Sequence, residues 1–158
     1  MARTKNRTEA APAPSLLPAA STVGVQRAVK TWLNTCPNLP SAAPSVSFED
    51  LQANETGLCF ATMQTPFYTA KYILGGYAAE FKFRLIYRVL PTDDADMLDA
   101  VEALTEIGGW CETATQPELP GAVNVHTQRT TDAAILAVYE DGTNDYSIDL
   151  TLSWEVFN

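Results

Sequence analysis

The chain has 158 residues, is 46% hydrophobic and carries a net charge of −9. That length supports one domain with a real core, and an acidic balance argues against a protein that wraps nucleic acid, since phosphate binding needs clustered Lys and Arg. No window approaches the ~20 apolar residues of a membrane helix, and the basic N-terminus has no apolar segment behind it to make a secretory signal. The expectation is a protein made and used in a cytosol, or released from one. Cys36, Cys59 and Cys111 are odd in number and widely spaced, which argues against a disulfide framework and a zinc site and for buried free thiols.

The charge is uneven. Residues 1–35 hold Arg3, Lys5, Arg7, Arg27 and Lys30 against Glu9, a net of +4, so the rest of the chain is strongly acidic. Residues 1–20 are Ala/Pro-rich with a basic tip and no periodicity, an extended arm in front of a single domain over 21–158. A first helix is expected from about Thr22 to Cys36, because Val25, Ala28, Val29, Trp32, Leu33 and Cys36 form one continuous stripe and Pro37 ends it. Two short strands follow, around Val46–Phe48 and Leu58–Met63, with Asn54 to Gly57 as the turn between them.

Thr69 to Leu90 is the strongest stretch. From Glu80 onward Phe81, Phe83, Leu85, Tyr87 and Val89 alternate with Lys82, Arg84, Ile86 and Arg88, a strand with one face on a core. Gly75-Gly76 before it marks a bend, a bulge or a close backbone approach. Lys82, Arg84 and Arg88 then form a basic row that could meet phosphates, the acidic second helix or a neighbouring chain. If copies form a ring, a neighbour's carboxylates are the expected partners, with Gly75 and Gly76 at a subunit boundary.

After Pro91, Thr92-Asp93-Asp94 offers a cap for a second helix with Met97, Leu98, Val101, Leu104 and Ile107 as its stripe. Its outer row of Asp96, Asp99, Glu102 and Glu106 is most simply a solvated face, and Gly108-Gly109 is expected to end or thin it. The remainder reads as three strands, Val123–Thr130, Ala133–Glu140 and Tyr146–Phe157, with a hairpin loop over Glu140–Asp145. Helices and strands in blocks imply α+β, a mainly antiparallel sheet with two amphipathic helices on one face.

No catalytic motif is present: no P-loop, no dinucleotide fingerprint, no zinc-protease or nucleophile-elbow pattern. His126 is the only histidine, and a Cys59 or Cys111 pairing with it is the one small-enzyme alternative.

The segments VQRAVKTWLNTCP, YILGGYAAEFKFRLIYR and DAAILAVYEDGTNDYSIDLTLSWEVF, with an acidic-start helix ending near Trp110 between them, resemble tail-terminator proteins of long-tailed bacteriophages, notably the group filed as minor capsid proteins. The resemblance covers about residues 23 to 157. It rests most on Trp32 to Pro37 and on Gly76-Tyr77 followed by Glu80-Phe81-x-Phe83.

It implies a homohexameric ring that caps the tail tube, ends its polymerisation and joins the tail to the neck, with DNA passing through the lumen. Its partners would be the chain itself, the tail tube protein and a neck or head–tail connector protein. It would sit in the virion at the head-proximal end of the tail, with no membrane, no enzyme activity and no cofactor. Asp141 and Asp145 are the expected lumen-facing acids. Arg3, Lys5 and Arg7, outside the resemblance, are expected to dock on an acidic surface of an adjacent subunit or of a neck protein. Another ring component, a head–tail stopper or the tube protein itself, is the alternative.

Overall fold

The computed structural model describes residues 22–49, 51 and 55–157. In chain order these form α1 (Thr22–Leu33), β1 (Val46–Phe48), β2 (Gly57–Thr62), β3 (Tyr68–Lys71), β4 (Tyr77–Val89), α2 (Asp94–Thr113), β5 (Val123–Arg129), β6 (Ala134–Val138) and β7 (Asn144–Val156). The seven strands make one sheet in the order β1-β2-β4-β7-β5, with β3 added beside β4 and β6 beside β7. Every pairing is antiparallel except β1 with β2. The fold is α+β with two helices, as the blocked order of elements implies. The arm of residues 1–20 lies outside the described residues.

β4 and β7 pair over their whole length, from Tyr77 opposite Val156 to Val89 opposite Asn144. Alternation puts Phe81, Phe83 and Leu85 of β4 and Ile148, Leu150, Leu152 and Trp154 of β7 on the same face, all buried. The helices pack there: Val25, Val29 and Leu33 from α1, Leu104 and Ile107 from α2. Each such side chain stabilises the fold by roughly 1.5–3 kcal/mol on burial. Trp32 and Trp110 stack at 5.1 Å, and the Trp32 indole donates to the carbonyl of Thr115, tying α1 to the end of α2.

The structure departs from the sequence pattern at four points. α2 does not stop at Gly108-Gly109 but runs to Thr113. A Cβ on Gly108 would lie 2.8 Å from Ile148 Cδ1 and 2.9 Å from Arg129 Cδ, so this glycine lets the helix approach the sheet closely. Packing there outweighs the weak helix propensity of glycine. For the same reason the buried stripe of α2 is Ala100, Leu104, Ile107, Gly108 and Cys111, while Met97 and Leu98 are exposed. The expected stripe followed residue size, and the small residues turned out to face the sheet.

The third difference is in β1 and β2, which are parallel instead of forming a hairpin. The outward N–H and C=O of Val46 are bound by the side-chain amide of Asn34, at 2.8 and 3.0 Å. Glu49, at φ 50, then turns the chain away. The expected turn over Asn54 to Gly57 falls partly outside the described residues. The fourth is the last hairpin: its turn spans Tyr139 to Thr143, and Asn144 and Asp145 are already in β7.

The two helix and turn glycines give opposite predictions. Gly76 has φ +88, and its Cβ would meet the carbonyl oxygen of Val156 at 2.3 Å, so Gly76→Ala should destabilise by several kcal/mol. Gly109 is helical with open space around it, so Gly109→Ala should stabilise by about 0.5–1 kcal/mol. Urea unfolding of the two variants beside the parent chain checks both signs.

Candidate functional site

The outer face of the sheet holds the basic row of β4. Arg84 lies directly opposite Asp149 and Arg88 directly opposite Asp145 on β7. Both pairs are bidentate: Arg84 Nε and Nη2 donate to Asp149 at 2.7 and 3.1 Å, and Arg88 Nε and Nη2 donate to Asp145 at 2.6 and 2.9 Å. Tyr139 completes the second pair, donating its hydroxyl to Asp145 with its ring 4.8 Å from the Arg88 guanidinium carbon. The hydrogen bonds from Arg88 to Asp145 push the guanidinium pKa further up from an already high value.

These pairs correct two expectations. Arg84 and Arg88 meet carboxylates of their own chain, brought there by the register of β4 and β7. Asp145 is 2% exposed and neutralises Arg88, so it does not face a lumen. Asp141 stays on the surface, its carboxylate accepting from the backbone and hydroxyl of Thr143. Lys82 reaches only Glu80 on its own strand, at 3.7 Å, which is worth little at a part-exposed site. Arg3, Lys5 and Arg7 lie outside the described residues.

Gly75 and Gly76 close the β3–β4 hairpin, with Tyr72 N donating to Gly76 O and Gly75 N to Tyr72 O. The turn is anchored: the Tyr72 hydroxyl donates to Glu155 at 2.6 Å and its ring stacks on Phe157. Asn124 donates to the same carboxylate, and these donors, Tyr72 first, hold Glu155 below the usual carboxylate range. The anchored turn leaves Ile73 100% and Leu74 96% exposed. Two branched aliphatic side chains thus stand in open solvent at a fixed tip.

A second exposed apolar surface is β6. Its sequence, AILAV, has no charge and no proline, and among the described residues it is paired only to β7. Ile135, Leu136 and Val138 are exposed. The sequence signal for both surfaces was present: ILGG puts large apolar residues in a turn, and AILAV is apolar on both faces of a short strand.

Chemistry is sparse. His126 contacts Ser153 Oγ at 3.2 Å and the carbonyl of Asn124, not a thiol. Cys36, Cys59 and Cys111 are buried and unbridged, and burial pushes the Cys111 thiol well up. The Ser153–His126 pair lies across neighbouring strands β7 and β5, and among the described residues the ring's hydrogen-bonding neighbours are Ser153 and Asn124, neither of them a carboxylate. Among the described residues, no group of three or more His, Cys, Asp or Glu side chains is placed to hold a metal ion. No helix among them is long and apolar enough to cross a membrane.

No protein-family model matches the chain, and no curated protein matches it.

The Arg88–Asp145 pair is the more buried of the two, so removing one partner strands a charge. Asp145→Ala should cost about 3–5 kcal/mol, and Asp149→Ala, at a pair more open to water, markedly less. Denaturant titration of the two single variants checks the ranking, and adding Arg88→Ala and Arg88→Ala/Asp145→Ala gives the coupling of that pair; equal costs for the two aspartates would refute this ranking.

Proposed function

We propose that this chain is a structural, non-enzymatic virion protein of a long-tailed bacteriophage. Copies of it close into a ring, by the resemblance hexameric, that caps the tail tube and joins it to the neck. The observation that supports this most is the pairing of an anchored apolar tip at Ile73–Leu74 with an unguarded apolar strand, β6, near the opposite end of the long β4–β7 pair. A block with separate apolar surfaces at its two ends can bind a neighbouring copy through one and a tube or neck protein through the other, and contacts between unlike surfaces of copies form closed rings when the rotation closes. The resemblance over residues 23 to 157 supplies the location in the particle.

In this reading the apolar tip is an axial contact, toward the tube or the neck. Asp141 is the remaining candidate for a lumen-facing acid, and repetition around a ring would keep passing DNA from sticking. The basic arm, with Arg3, Lys5 and Arg7, docks on an acidic neighbour such as the exposed Asp99, Glu102 and Glu106 face of α2.

Native mass spectrometry with electron microscopy of the purified protein tests the reading. A single ring that does not stack is expected. Long stacks would point to a tube protein, and a lone chain at all concentrations would remove the ring. Deletion of residues 2–20 is expected to weaken assembly while leaving the circular dichroism spectrum of the domain unchanged. Unaltered assembly would remove the arm from the reading.

A further inference from the structure

The two edges of the sheet are opposite in charge and lie at the same level. One row of paired residues crosses it: Val46 on β1, Leu58 on β2, Tyr87 on β4, Tyr146 on β7 and Ile135 on β6. β1 is parallel to β2, and each later step in the row is antiparallel, so β1 and β6 run in opposite directions. A second copy set beside the first in the same orientation therefore brings its β1 edge alongside β6, antiparallel and level.

The chemistry of the two edges matches. β6 presents exposed Ile135 and Val138, with the exposed carboxylates of Asp132 before it and Glu140 after it. At the other edge, Val23, Arg27 and Lys30 fall on one flank of α1 at helical spacing, beside the exposed ring of Phe48. With Gln26 they surround a hollow of about 230 Å³. One edge is thus an apolar ridge between acids, and the other an apolar hollow beside bases.

We propose that β6 of one copy packs into the α1–β1 corner of the next. Ile135 and Val138 fill the hollow beside Val23 and Phe48, and Asp132 and Glu140 meet Arg27 and Lys30. This rests on the reading that the chain assembles with itself and names the contact that does it. A like-with-like arrangement is disfavoured on both sides. Antiparallel β6 strands would set Asp132 of one copy against Glu140 of the other, and two α1–β1 corners would oppose their bases. The contact is made by side chains and does not continue the ladder, because Asn34 already occupies the outward backbone groups of Val46.

Charge reversal in the full chain tests it. Arg27→Glu/Lys30→Glu has acid at both edges, and Asp132→Lys/Glu140→Lys has base at both. Each alone is expected to lose the wild-type assembly and run at the mass of one chain by light scattering at low ionic strength, with an unchanged circular dichroism spectrum. Mixed in equal amounts, the two are expected to regain the wild-type mass, because each reversed corner then faces a reversed edge and each unreversed corner an unreversed edge. Val138→Lys, a charge within the apolar ridge, is expected to run as a single chain on its own.

Any of these variants keeping the wild-type mass alone, or a reversed pair that stays dissociated when mixed, overturns the contact. A wild type that assembles while all variants assemble too leaves the ring reading standing and this contact refuted. A wild type that is a single chain under the same conditions refutes both.

Discussion

The pairing of β4 with β7 is the constraint on which the rest of the molecule hangs. Their register, unbroken from Tyr77–Val156 to Val89–Asn144, sets both faces of the sheet at once. On the inner face it aligns aromatic and branched side chains into the floor for α1 and α2. On the outer face it places Arg84 opposite Asp149 and Arg88 opposite Asp145. A slip by one residue would exchange the two faces, burying arginines and exposing the core, so polar and apolar rows specify the same register independently. All five other strands attach to this pair directly or through β2.

Most of this frame was legible in the sequence, because its signals are local and periodic. The stripe of α1, the alternation of Phe81 to Val89 and that of Ile148 to Val156 each report their own buried face. What was not legible depends on partners far along the chain. Gly108 reads as a helix breaker until Ile148 and Arg129 are seen against it, and Asp145 reads as a loop acid until Arg88 lies across from it. The acid is buried because the charge it cancels is supplied by a strand fifty-seven positions earlier. The parallel course of β1 likewise depends on a side chain in another element, Asn34 at the end of α1.

The contact surfaces were legible in a different sense. Ile73, Leu74 and AILAV were visible as apolar residues, but exposure is a property of the fold, and periodicity alone could assign them only to a strand pair and a strand. Ile73 and Leu74 are the most exposed large hydrophobics among the described residues, and β6 exposes Ile135, Leu136 and Val138 at the edge. The molecule satisfies its own charges on the sheet surface and leaves apolar groups at its extremities, a division that suits a component whose specificity is expressed between copies.

Asn34 carries one more implication, for ageing. Its amide nitrogen donates to the carbonyl of Val46 and its amide oxygen accepts from the N–H of the same residue, so it acts as a one-residue substitute for a neighbouring strand. A side-chain amide supplies the two functions from two separate atoms, held apart as in a peptide group. Hydrolysis to aspartate, a spontaneous change of asparagine in long-lived proteins, would leave two acceptors facing that carbonyl and remove the donor. The integrity of one sheet edge would thus be tied to the chemical lifetime of a single amide.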